Sequence, residues 1–102
     1  MCVQMPSLFE LLSQSVGKSV GQLEQDAIRA WVEKEVDLID HAVMELAWKY
    51  GVHSPDEMEE KIRAGKIDGH PAWEDAIKWE NMEEYKVTLL GAVVKMHEST
   101  VL

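Results

Sequence analysis

The chain has 102 residues, 46% hydrophobic and 28% charged, with a single cysteine and a net charge of −9. That length allows one domain at most. The charge falls on both halves, about −4 up to Tyr50 and about −5 beyond it, which excludes the cationic surface that nucleic acid or an anionic membrane requires and favours a basic protein partner instead.

The N-terminal stretch MCVQMPSLFELLSQ has no charged n-region and no long apolar run, so it does not read as a signal peptide. Cys2 has no partner for a disulfide within the chain, which suits a cytoplasmic protein. Ser7 with Glu10 forms a capping box after Pro6 and predicts a short helix over about 7–16, closed by Gly17. Ser19 with Gln22 opens a second helix that runs over about 19–50 to Gly51. Its apolar positions, among them Val20, Leu23, Ile28, Trp31, Val32, Leu38, Ile39, Val43, Leu46 and Tyr50, recur at helical spacing over roughly half the circumference. Such a helix is expected to be covered on two sides.

Ser54-Pro55-Asp56-Glu57 combines a capping serine, a proline at the first helical position and a glutamate at the reciprocal position. The helix it starts is short, about 55–64, and ends at Gly65. After the loop GKIDGH, Pro71 begins the last helix, about 71–98, with Glu74 and Asp75 at its positive end. Its apolar stripe reads as Trp73, Ala76, Val87, Leu90, Gly91 and Val94. No apolar run reaches the length of a bilayer span.

The order short, long, short, long predicts an all-α fold: an antiparallel long-helix hairpin with two short helices, in a single helical domain. A rod of 30 residues is about 45 Å long, against a radius of gyration near 13 Å for a compact chain of this size. A hairpin so thin does not bury both faces alone, so a homodimer forming a four-helix bundle is expected.

Two features suggest chemistry. Glu35 lies near the centre of the apolar stripe of the second helix, while Glu80, Glu83 and Glu84 lie within or beside that of the last. If position 50 faces position 72, Glu35 comes level with about residue 87, within a turn of Glu83 and Glu84. Carboxylates gathered there would hold magnesium or manganese, or share protons; the alternative is that they snorkel at the edge of the stripe or pair with Lys34, Lys49 or Lys86. Trp48 and Trp79 fall off the main stripes and are expected at a dimer or partner interface. No nucleophile in a strained turn and no E-x-x-H accompanies them, so no catalytic residue is assigned.

The segment KYGVHSPDEMEEKIRAGKIDGHPAWEDAIKWENMEEYK, residues 49–86, resembles small helical prokaryotic proteins. In these a long helix ends in K-Y-G, a short S-x-x-E helix follows, and a W-E-D…W-E helix completes a hairpin. Some such small acidic proteins look like the antitoxin partners of toxins, and the resemblance implies a protein-binding module or regulatory adaptor. Glu80-x-x-Glu83 also resembles half of the carboxylate motif of MazG-like nucleotide pyrophosphatases, which hold magnesium with E-x-x-E on one helix and E-x-x-D on the next; no E-x-x-D follows here. That resemblance implies, as the alternative, a magnesium-dependent nucleotide hydrolase.

Overall fold

A computed structural model describes residues 7–100, which are helical apart from their connections, with no strand among them. Cys2 lies outside the described residues. The helices are α1 (Leu8–Val16), α2 (Val20–Tyr50), α3 (Pro55–Arg63) and α4 (Gly69–Thr100).

Each start has a local cause. Ser7 and Ser19 both form complete capping boxes, with Glu10 and Gln22 respectively. Ser54 accepts from the Glu57 amide, but the Glu57 carboxylate takes the amide of His53, at 2.8 Å, one residue earlier than a capping box would place it. Gly17 and Gly51 close α1 and α2 in the left-handed conformation, with φ of 73° and 64°. His70 is extended (φ −121°, ψ 119°), as a residue before proline prefers, so the regular part of α4 begins at Pro71.

Two apolar clusters hold the helices together. In the first, Val52, Met58, Ala72, Ala76 and Trp79 join the end of α2 to α3 and the start of α4. In the second, Val32, Ile39 and Leu89 join the middle of α2 to α4. Residue numbers rise along α2 as they fall along α4: Tyr50 meets Asp75, and Lys86 pairs with Asp40 at 2.7 Å. The result is long and thin, 70 × 32 × 23 Å with a radius of gyration of 20.7 Å.

The buried line of α4 matches the expected one only at Ala76. Ala72, Ala76, Trp79 and Leu89 are buried, whereas Val87, Leu90, Gly91 and Val94 are exposed. The reason is the docking of α3, which claims the side of α4 that carries Ala72, Ala76 and Trp79 and so turns the stripe away from α2. On α2 only Val32 and Ile39 are buried, so within this chain the helix is covered on one side rather than two.

Candidate functional site

Glu80, Glu83 and Glu84 come to one face of α4 and line an open hollow of about 410 Å³ with Val87, whose side chain is 71% exposed. Glu83 accepts from the indole Nε1 of Trp79 at 3.0 Å, which satisfies the one polar atom of a ring otherwise enclosed in the core. Trp79, expected at an interface, is thus 1% exposed. Its position off the α4 stripe is the position that faces α3. Trp48 is 85% exposed, beside Met44, Glu45 and Lys49 on α2.

Glu35 does not join the α4 carboxylates. With position 50 facing 75 and position 40 facing 86, Glu35 comes level with about residue 90. The register is almost a turn further along than the assumed pairing of 50 with 72, with Tyr50 and Lys49 both bonded to Asp75.

α3 supplies what α2 does not. Asp56 and Glu59 bring carboxylate oxygens within 4.8 Å of each other and of Glu80. The contact with Glu59, then desolvation and the charges of Glu59, Asp56 and Glu84, hold the Glu80 carboxyl above its ordinary 4.5. Sequence reasoning passed over this pair. The signal available was the spacing Asp56-x-x-Glu59, which puts two carboxylates on one face of α3. Asp56 is exposed, and Glu59 and Glu80 are half-buried. Five carboxylates, Asp56, Glu59, Glu80, Glu83 and Glu84, therefore border one side of α4, and no cation of the described chain makes an ion pair with any of them.

What the arrangement can do follows from its exposure. A face of carboxylates, two of them half-buried, around an exposed valine attracts cations electrostatically and apolar side chains by burial. No buried nucleophile or enclosed cavity lies among them. Among the described residues no helix is long and apolar enough to cross a membrane.

No curated protein and no solved structure matches the chain. A family model does, over residues 4–93: the Uncharacterized protein MJ0235 family. That match covers most of the 102 residues, and the chain belongs to this family.

Proposed function

We propose that the protein is a dimeric helical hairpin that acts by binding a basic protein segment through the acidic side of α4, in the manner of an antitoxin or a regulatory adaptor. The observation that carries this reading is the row of Glu80, Glu83 and Glu84 around exposed Val87, with Asp56 and Glu59 beside it and no ion pair to any of the five among the described residues. Leu90 and Val94, also exposed, continue the apolar strip along α4. An amphipathic basic helix laid along it would place apolar side chains on Val87, Leu90 and Val94 and lysines or arginines on the glutamates. The net charge of −9 would speed the encounter with such a partner.

The test is co-purification with a basic protein encoded beside this chain's gene, comparing the wild type with Glu80→Lys/Glu84→Lys. Capture by the wild type that weakens with salt and disappears in the variant supports the reading. Equal capture by both proteins, or no capture at any ionic strength, counts against it.

The three carboxylates of Asp56, Glu59 and Glu80 favour a second reading, a magnesium-dependent hydrolase of the MazG-like kind. On this reading α3 and α4, rather than α2 and α4, provide the ligands. Glu35 has no part in it, and Glu83 and Glu84 stand at the edge.

A further inference from the structure

Asp26, Asp37, Asp40, Asp56 and Asp75 all lie inside helices. The remaining aspartate, Asp68, is exposed in the connection between α3 and α4, and a glycine follows it. Past its first turn, a helix ties each backbone amide to a carbonyl four residues earlier and holds it away from neighbouring side chains. Where Asp56 stands in the first turn of α3, the amide after it is taken by the Ser54 hydroxyl at 3.1 Å.

Asp68-Gly69 has no such protection. Gly69 is the first residue of α4, so its amide has no partner within the helix. The backbone bonds of the connection run from Gly65, Lys66 and Ile67 back to α3, and none of them uses the Gly69 amide. The Asp68 carboxylate accepts from the His70 amide at 3.3 Å, which folds the side chain back over the Asp68–Gly69 peptide. No Cβ screens the Gly69 nitrogen from it. Packing keeps the glycine there. A methyl group at Gly69 would lie 3.1 and 3.2 Å from two atoms of the Trp73 indole and 3.7 Å from Ile62, so the indole would have to give way to any side chain.

We propose that Asp68 is a modification site, at which the folded chain isomerises to isoaspartate through a cyclic succinimide. The Gly69 nitrogen attacks the carboxyl carbon of the Asp68 side chain and forms a C–N bond, while the amide proton and the carboxyl hydroxyl leave as water. Water then opens the five-membered ring. Breaking the new bond restores aspartate. Breaking the original bond, between the main-chain carbonyl carbon of Asp68 and the Gly69 nitrogen, leaves the chain running through the side chain, with a free α-carboxylate. No atom is gained or lost overall, and no oxidant or reductant takes part. The main chain becomes one methylene longer between α3 and α4, the two helices that bring Asp56 and Glu59 beside Glu80.

The test keeps the full chain folded in buffer at physiological temperature for weeks, beside a sample in urea, and digests both with trypsin. The peptide spanning 67–78, released at Lys66 and Lys78, is followed as two chromatographic species of equal mass. An isoaspartyl methyltransferase with S-adenosylmethionine labels the isoaspartate form. The folded sample is expected to accumulate isoaspartate at Asp68 and at none of the helical aspartates. Asp68→Asn, which leaves Gly69 and its packing untouched, is expected to lose ammonia through the same ring, and faster. Gly69→Ala should slow the conversion several-fold, with circular dichroism to follow helicity. Isoaspartate that forms in urea but not in the folded chain overturns the proposal, as does equal conversion at the helical aspartates. An unchanged rate in a folded Gly69→Ala overturns the part given to Gly69. If that variant loses its helices, Asp68→Asn decides alone: an asparagine that stays intact in the folded chain overturns the proposal.

Discussion

The Tyr50 hydroxyl on α2 donates to the Asp75 carboxylate on α4, and the Lys49 ammonium lies 3.4 Å from the same oxygen. Tyr50 is partly buried, so this bond forms where competition from water is reduced. The bond from Tyr50, followed by that from Lys49, holds the Asp75 carboxyl below its ordinary 3.8. Burial and the neighbouring carboxylate push the Tyr50 phenol above its ordinary 10.0.

Removing the hydroxyl should therefore be felt. Tyr50→Phe is expected to cost about 1 kcal/mol, the usual net worth of one such bond, read as a lower urea midpoint with an unchanged slope. The pH dependence has a fixed sign. Asp75 has a lower pKa folded than unfolded, so its contribution is present above 3.8 and lost as pH falls through the folded value. Tyr50→Phe should flatten that acid limb. Glu57, lowered by the His53 amide, acts in the same direction.

Glu80 acts in the opposite direction. Its carboxyl is raised above 4.5, so the stability it contributes is full below that value and is lost as pH rises through the folded pKa. Near neutral pH it is a source of repulsion. Glu80→Gln is expected to raise the melting temperature at neutral pH and to leave it unchanged well below 4.5. A variant less stable at neutral pH would contradict this account.

The two off-stripe tryptophans should behave as opposites. Trp79→Ala removes a ring from the first core cluster and is expected to cost about 3–5 kcal/mol, a large share of the total for so small a chain. Trp48→Ala should shift stability by no more than about 0.5 kcal/mol. In single-tryptophan variants, acrylamide should quench Trp48 readily and Trp79 poorly.

Divalent metal separates the two functional readings. If Asp56, Glu59 and Glu80 bind magnesium or manganese, millimolar metal should raise the melting temperature of the wild type but not of Asp56→Asn/Glu80→Gln. The same shift in both proteins, or none in either, would remove the hydrolase reading.

Helix starts and stops were legible because they are written in adjacent residues: Ser7, Ser19 and Ser54 cap as their neighbours dictate, and Gly17 and Gly51 end what they follow. What was illegible depends on which element docks where. The wheel of α4 could not show that α3 would cover Ala72, Ala76 and Trp79, so an enclosed indole was read as an exposed anchor. The register of α2 on α4 is a matter of how the two helices pack, with Tyr50 against Asp75 rather than level with residue 72, and it takes Glu35 out of the expected cluster. Asp56 was hidden for another reason: an acidic residue in the first turn of a helix has a sufficient local explanation, and only tertiary packing brings it and Glu59 beside Glu80.

Val43 packs against both apolar clusters, which are otherwise built from different buried residues. In a rod 70 Å long, that one isopropyl group is where the two halves of the interior meet. Cooperativity of melting depends on such shared contacts, because clusters that do not touch open independently. The α3 end, with its enclosed indole, would keep its amide protons after the slender end had exchanged its own. Shortening Val43 to alanine should widen that gap in exchange.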